Sequence, residues 1–388
     1  MSSLPISNGK HFLDNNDIKE VVKTLKSNFL SQGPSILKFE ELFKKKLKSK
    51  FSLACNSGTS ALYLAMQSID LKKNDVIILP SVNFIAAVNI ARLFQANFFL
   101  ADVDSSTGQL STEGILKCIK NNKIKKVKAI INMYLSGNLR EIINFYKLKK
   151  KLNCYLIEDA CHALGSSYKY KKEKINIGSC KHSDICTFSF HPLKTITTGE
   201  GGMFLTNNKK FFDKASLFRS HGIKKTEKHW KYDVLSVGLN FRMSNINASL
   251  GISQFKKIEK FISIRKKIFE LYFKNLHNYR DVIKILETEK NTFSSNHLVI
   301  ANIDFSKLKI KKDDFIKKLM KEKILIHYHY IPNFNFKNYN SIPAKNFSGA
   351  NSHFKNAVSL PVYYKLSFSD VKKVNSKIKL IIDQYILQ

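Results

Sequence analysis

The sequence predicts an α/β fold: a large amino-terminal domain on a mainly parallel sheet, followed by a smaller carboxy-terminal α+β domain. Three observations predict it. Short apolar runs recur through the first 240 or so residues, separated by amphipathic stretches. That alternation of strand, helix and strand belongs to a mainly parallel sheet with helices on both faces. After about residue 245 the texture changes to one long helical pattern, then strand, helix and strand.

Taken in order, residues 51–55 are apolar and lead into Asn56-Ser57-Gly58-Thr59-Ser60-Ala61, which opens a helix over 61–69. Residues 76–80 read as a buried strand ending in a turn. Residues 96–101 and 129–133 are two more, and 154–157 is a fourth that ends in Glu158-Asp159. Helical stretches at 112–121 and 141–152 fall between them. Phe188-Ser189-Phe190-His191 is an alternating aromatic strand. Lys194 follows it, then the turn Thr197-Thr198-Gly199-Glu200-Gly201-Gly202. The larger domain is expected over residues 1–245 and the smaller over 246–388. A single helix over 247–272, with a lysine-rich face, is expected at their junction. Strand, helix and strand are expected at 295–302, 313–323 and 324–330.

The chain has 388 residues, 44% of them hydrophobic, a globular composition with enough length for a large core. Its formal net charge of +35 suggests a nucleic-acid binder at first sight. Only six of the basic residues are arginines (92, 140, 219, 242, 265 and 280), and the lysines are spread along the chain. Phosphate and nucleic-acid recognition favours arginine forks, so the charge reads as a compositional bias, and no nucleic-acid partner is expected. Six cysteines form no CxxC pair and no metal-like cluster with histidine, and read as reduced thiols. No apolar run reaches the roughly 20 residues a membrane span needs. Residues 1–10 lack the charged and apolar regions of a leader. A cytoplasmic protein with no membrane partner and no metal is expected.

Four pieces then carry chemistry. Lys194, between an aromatic strand and a glycine-rich turn, sits beside buried surface, where desolvation favours a neutral amine able to attack an aldehyde. Elsewhere in so lysine-rich a chain a lysine is a solvated surface residue. Asp159 stands at the end of an apolar strand. It is either a partner for a protonated pyridine nitrogen or the cap of a helix beginning at Ala160. The Ser57 to Ser60 segment is either a plain helix cap or an anion site suited to a phosphate ester. Phe84, just past a strand end, either stacks on a planar ring or packs in the core. An amine for an aldehyde, a carboxylate for a pyridine nitrogen, a phosphate cradle and a stacking aromatic are together the contacts of pyridoxal 5'-phosphate. Their order along the chain, with the Ser189 hydroxyl five residues before Lys194, makes the set specific.

These segments, together with Ile157 to Gly165 and Gly238-Leu239-Asn240-Phe241-Arg242-Met243, resemble the motifs of the DegT/DnrJ/EryC1/StrS sugar aminotransferases. These are pyridoxal-phosphate enzymes of fold type I, and the resemblance covers essentially the whole chain. It implies that Lys194 carries the cofactor as a Schiff base and moves the proton, and that Asp159 binds the pyridine nitrogen. It implies further that Phe84 stacks on the ring, that Gly58, Thr59 and Ser189 hold the phosphate, and that His162 lies near the ring's 3-hydroxyl. Asn240 would reach a phosphate in the neighbouring subunit of a homodimer with shared active sites.

Within the family, His162 to Ser166, Phe218 to Ile223, Ser294 to Leu298 and Ile326-His327-Tyr328 are similar to one branch. That branch aminates a UDP-linked 2-acetamido-2,6-dideoxy-4-keto sugar, with L-glutamate as donor, on the route to pseudaminic acid. This implies substrate contacts from Arg219, His221, His297, His327 and Tyr328. The chain departs from relatives at Tyr134-Leu135-Ser136-Gly137, where they often carry His-x-x-Gly. It departs again at His327-Tyr328-His329-Tyr330-Ile331-Pro332, where the branch often has His-Tyr-Lys-Pro. Both are expected near the sugar. The open alternatives are a GDP- or dTDP-linked keto-sugar as substrate, a sugar dehydratase (in which histidine replaces the lysine), and a basic non-enzymatic binding protein.

Overall fold

The larger body is organised by strands that start and stop where the apolar runs do. The computed structural model describes residues 4–228, 230–339 and 341–387; positions 1–3 of the stretch read above for a leader lie outside them. The strands are β1 (Phe51–Cys55), β2 (Val76–Pro80), β3 (Asn97–Ala101), β4 (Ala129–Met133), β5 (Tyr155–Asp159), a short hairpin of β6 (Ser167–Tyr170) and β7 (Glu173–Asn176), β8 (Ile185–Ser189) and β9 (Gly202–Thr206). Seven of them form one sheet in the order β1-β9-β8-β5-β4-β2-β3. The pairs from β8 through β5, β4 and β2 to β3 are parallel. β9 runs antiparallel to both its neighbours, β1 and β8. All strands but β9 therefore point the same way, and their carboxyl ends share one edge, where ligands of open α/β sheets bind.

Alternation along each strand divides the core. Ile77, Leu79, Ile131 and Ile157 face one apolar cluster, while Ile78, Ile130 and Leu156 face another. Both faces are covered by helices, as the sequence predicts. These are α1 (Asn15–Leu25), α2 (Pro34–Leu47), α3 (Gly58–Ser68), α4 (Ala86–Leu93), α5 (Thr112–Asn121), α6 (Ile142–Leu152) and α7 (Lys209–Arg219). α3 is buried along most of its length, so its start is fixed by its cap and its place by the sheet beneath it.

The expected single helix over 247–272 is two helices, α8 (Asn245–Lys256) and α9 (Ile258–Leu276). Lys257 leaves helical geometry at φ −100°, ψ 1°. Its ammonium bonds Asp14 and Asp17 at 2.9 and 2.6 Å. The break lets one stretch of chain serve two cores. Ala248, Ile252 and Phe255 pack in the larger body, whereas Ile268, Tyr272 and Leu276 pack in the smaller.

Short strands β10 (Ile223–Lys225) and β11 (Tyr232–Val234) form an exposed hairpin after α7. The smaller body holds a three-stranded antiparallel sheet of β12 (Ile283–Ile285), β14 (Val299–Ile303) and β15 (Ala357–Leu360), while β13 (Thr292–Phe293) pairs back onto β6. α9, α10 (Lys312–Lys321) and α12 (Phe368–Tyr385) cover the three-stranded sheet, and α11 (Ser348–Asn356) leads into β15. The strand expected at 324–330 does not form. Ile324 bridges Ile6 and His327 bridges Ser359, two isolated contacts with different partners, so the segment has no continuous partner. We propose that the two bodies divide within α9, because Ile258 and Phe261 belong to the first core and Ile268 to the second, with Ile6 crossing to the second and Phe334 to the first. Among the described residues no helix is long and apolar enough to cross a membrane.

Candidate active site

A cleft of about 430 Å³ lies at the carboxyl edge of the sheet, within the size range of small-molecule sites. Strand ends supply much of its wall. Asp159 closes β5, Ser189 closes β8, Met133 closes β4, and Phe84 follows β2. Gly58 and Thr59, from the start of α3, and Lys194, from the β8–β9 loop, join them.

The loop holding Lys194 is pinned by its own backbone and hydroxyls. Lys194 N–H donates to His191 O at 2.9 Å and Thr198 N–H to Phe190 O at 3.0 Å. Thr197 Oγ1 donates to Phe190 O at 3.2 Å and accepts Gly199 N–H at 3.0 Å. Gly199, at φ +79°, supplies the left-handed turn that this closure needs. Burial lowers the Lys194 ammonium below the usual lysine value, opposed by Cys161 and Asp159. Burial raises the Asp159 carboxyl, against hydrogen bonds from Cys161 and the charge of Lys194. A half-buried lysine whose amine is shifted toward neutrality thus stands within electrostatic range of a buried carboxylate. No helix follows Asp159. The residues after β5 are turns, and Cys161 N–H donates to Asp159 Oδ1 at 3.2 Å. The helix-cap alternative for Asp159 is therefore excluded.

Ser57 caps α3. Its Oγ accepts Ser60 N–H at 3.0 Å. The N–H groups of Gly58 and Thr59, in the first turn of α3, have no intrahelical carbonyl to bond. A Cβ on Gly58 would lie 2.6 Å from Ser189 Cβ, so the Ser189 hydroxyl and these amides share one small space. A Cβ on Gly202 would lie 2.2 Å from Ser57 O, so glycine is required on the other side as well. This is a fit for a phosphate ester.

Phe84 is 54% exposed and lines the cleft, its ring 5.9 Å from that of Tyr330. The core-packing alternative for it is excluded. His162 and His297 also line the cleft, with ring centroids 4.3 Å apart. Each leaves Nδ1 buried without a hydrogen-bond partner. Burial, then the Lys194 charge, holds both imidazoles well below the usual histidine value.

Five sequence candidates lie elsewhere. Arg219 is turned into the protein: Nη1 donates to Glu40 Oε1 and to Ala54 O, both at 2.8 Å. His221 and Asn240 are exposed around the β10–β11 hairpin, outside the cleft wall of this chain. His327 is exposed, and the Tyr328 hydroxyl donates to Asp313 Oδ1 at 3.1 Å. The pocket instead receives His329 and Tyr330. His329 Nδ1 lies 2.8 Å from Ser359 Oγ, and burial, then Lys194, lowers its imidazole to about 3. Tyr134, also expected near the sugar, is buried and donates to Glu158 Oε1 at 2.6 Å.

Asn8 and Gly9 were not foreseen and line the cleft as well. The parallel bridge of Ile6 to Ile324, and Asn8 Nδ2 donating to Ser359 O at 2.8 Å, bring them there. No local motif marks them.

The residues present fit pyridoxal phosphate: an amine, a buried carboxylate, an amide-rich cradle, an exposed aromatic and an unpaired buried imidazole nitrogen. Among the described residues no group of histidine, cysteine and acidic side chains stands where it holds a metal ion.

The sequence profile of the DegT/DnrJ/EryC1/StrS aminotransferase family matches residues 12–379. UDP-4-amino-4,6-dideoxy-N-acetyl-beta-L-altrosamine transaminase of Campylobacter jejuni is 33% identical over 377 residues, 96% of each chain. GDP-perosamine synthase of Escherichia coli O157:H7 is 34% identical over 269 residues, 69% of this chain and 70% of its own. The solved structure of Helicobacter pylori PseC, an aminotransferase involved in the biosynthesis of pseudoaminic acid, matches with a TM-score of 0.88 at 28% identity. That match covers 98% of this chain and 100% of PseC.

Proposed function

The chain belongs to the DegT/DnrJ/EryC1/StrS aminotransferase family, and from that premise we propose that it moves an amino group from L-glutamate to the 4-keto carbon of UDP-2-acetamido-2,6-dideoxy-β-L-arabino-hex-4-ulose, in pseudaminic-acid biosynthesis. It is a pyridoxal-phosphate-dependent nucleotide-sugar aminotransferase. The observation that carries the reading is the meeting of Lys194, Asp159, Ser189 and Gly58 in one cleft at the carboxyl edge of the sheet.

Bound pyridoxal phosphate supplies an aldehyde that takes up an amine and a ring that spreads the electron pair left on the substrate carbon. The residues of the chain do the rest. Lys194 would hold the cofactor through its amine and would serve as the base that takes up the substrate's proton; its neutral form, favoured by burial, is the one able to accept it. Asp159 keeps the ring nitrogen protonated, and its burial is tolerable because that N–H⁺ pairs with it. Gly58, Thr59 and Ser189 would hold the phosphate, Phe84 would cover the ring, and His162 would stand near its 3-hydroxyl. His297, His329 and Tyr330 stand on the sugar side, in place of His327 and Tyr328.

Asn240 reaches the phosphate of a second subunit, so the working form is a homodimer. What supports this is the exposure of Asn240 outside the cleft of its own chain. Unpaired cysteines fit a cytoplasmic setting.

The similarity to GDP-perosamine synthase favours a second reading, a GDP-linked 4-keto sugar. Rates with glutamate and a panel of UDP-, GDP- and dTDP-linked 4-keto sugars decide between them. The UDP-linked 2-acetamido sugar is expected to give the highest kcat/KM, and a higher value for a GDP- or dTDP-sugar overturns the assignment.

A further inference from the structure

Ser359, in β15, ties together two cleft residues from distant parts of the chain. Its carbonyl oxygen accepts Asn8 Nδ2–H at 2.8 Å, and its hydroxyl lies 2.8 Å from His329 Nδ1. Asn8 and His329 both line the cleft. A carbonyl oxygen can only accept, so the amide nitrogen of Asn8 faces Ser359 and Oδ1 is the end left over. Among the described residues nothing bonds Asn8 Oδ1 or His329 Nε2, and neither atom is shut in. They are the polar atoms that these two residues offer to the cleft. Burial, then the charges of Lys194 and His327, lower the His329 imidazole to about 3, so it is neutral and carries one N–H. Ser359 is 1% exposed, and among the described residues Nδ1 is the one hydrogen-bond partner of its hydroxyl. Were Nδ1 to donate, the buried serine O–H would have no acceptor, which costs free energy. With the serine donating to Nδ1 that cost is gone, and the imidazole proton sits on Nε2, where the cleft is open.

We infer that Ser359 is a positioning residue that sets His329 as a donor and Asn8 as an acceptor for neutral polar groups of the hexose, so that this pair selects the sugar nucleotide. This rests on the substrate class proposed above. The 4-keto hexose named there carries two neutral groups that both donate and accept, the 2-acetamido and the 3-hydroxyl. An ionised carboxylate only accepts, so Asn8 Oδ1 has no bond to offer the carboxylates of L-glutamate. The pair therefore acts in the half of the reaction that takes the sugar, and not in the half that takes glutamate.

The test measures kcat/KM separately for L-glutamate and for the UDP-linked 4-keto sugar, in cofactor-loaded wild type, Ser359→Ala, Asn8→Ala, His329→Leu and His329→Gln. Ser359→Ala, Asn8→Ala and His329→Leu are each expected to lower the sugar value about tenfold, the scale of one neutral hydrogen bond, with the glutamate value unmoved. His329→Gln, which keeps an N–H donor near the place of Nε2, is expected to recover most of the loss. With a 2-deoxy analogue of the sugar, a loss that disappears assigns the pair to the 2-acetamido group and a loss that persists assigns it to the 3-hydroxyl, each in support. A fall shared equally by both substrates, or none in the folded variants, overturns the inference alone. Wild type that transfers to no nucleotide keto-sugar overturns the proposed function and the inference together. Nitrogen-15 NMR of histidine-labelled wild-type holoenzyme is independent of how the variants fold. A proton on His329 Nε2 supports the inference, and a proton on Nδ1 overturns it.

Discussion

Gly58 at the start of α3 and Ser189 at the end of β8 approach so closely that a Cβ on Gly58 would lie 2.6 Å from Ser189 Cβ. Gly58→Ala must therefore push the helix start or Ser189 aside, at a cost of about 1–3 kcal/mol. If these groups cradle the phosphate, much of that cost falls on cofactor affinity. Titration of apoprotein with pyridoxal phosphate should show a Kd about tenfold higher or more. An unchanged Kd in the folded variant would move the phosphate site away from α3.

Asp159→Asn removes the charge proposed to face the ring nitrogen but keeps the shape and the bond from Cys161. Turnover should fall by about 10²–10³-fold, the scale of losing one preorganised electrostatic partner, while the protein still takes up cofactor. Steady-state rates and bound-cofactor content measured on the same preparation separate the two effects. Unaltered turnover would reduce Asp159 to a turn-forming residue.

Arg219 and Glu40 form an ion pair that brackets β1. Arg219 donates to Ala54 O, and Glu40 accepts Ala54 N–H at 2.8 Å. Removing the arginine leaves a carboxylate whose protonation burial already favours. Arg219→Met should lower unfolding free energy by about 3 kcal/mol, the low end for breaking a buried pair, and leave the KM for the sugar nucleotide unchanged. A large rise in KM without loss of stability would restore Arg219 as a substrate contact.

His162, His297 and His329 are held below the ordinary value of 6.5, His329 to about 3. Unfolding frees them to take up protons below about pH 6.5. In that range the unfolded chain binds more protons than the native one. Their contribution to stability is thus full above pH 6.5 and is lost as the pH falls from there toward 3. Each histidine adds a slope of up to about 1.4 kcal/mol per pH unit. Urea unfolding at stepped pH should show this slope in wild type, and His329→Asn should reduce it by about one proton. An identical slope in the variant would mean that His329 is already charged in the native protein.

What was legible in the sequence was what is local in it. The Ser57 cap, the strand ending in Asp159 and the Lys194 loop are each defined within a few residues, and the sheet then gathers them. The assignments that moved depend on distant partners. Arg219 is claimed by Glu40, 179 positions away. Asn8 enters the cleft because Ile6 pairs with Ile324 and its own amide bonds Ser359 O. His327-Tyr328-His329-Tyr330 repeats a dipeptide, so it fits a His-Tyr motif in two registers. The bonds of Tyr330 to His162 and of His329 to Ser359 select the second. The break at Lys257 was hidden because both flanking stretches are helical and only their separate cores set them apart.

In the function proposed above, Lys194 carries the cofactor through both halves of an amino transfer to a nucleotide keto-sugar. The most direct measurement follows the visible absorption of one enzyme preparation through both halves. A band at ~420 nm is expected in the loaded protein, with loss of that band on adding L-glutamate and its return on adding the UDP-linked 4-keto sugar with one equivalent of 4-amino sugar formed. Borohydride reduction of the resting enzyme should leave the cofactor's mass on the peptide containing Lys194. A label on another lysine, or a band that glutamate removes and no nucleotide keto-sugar restores, would contradict it.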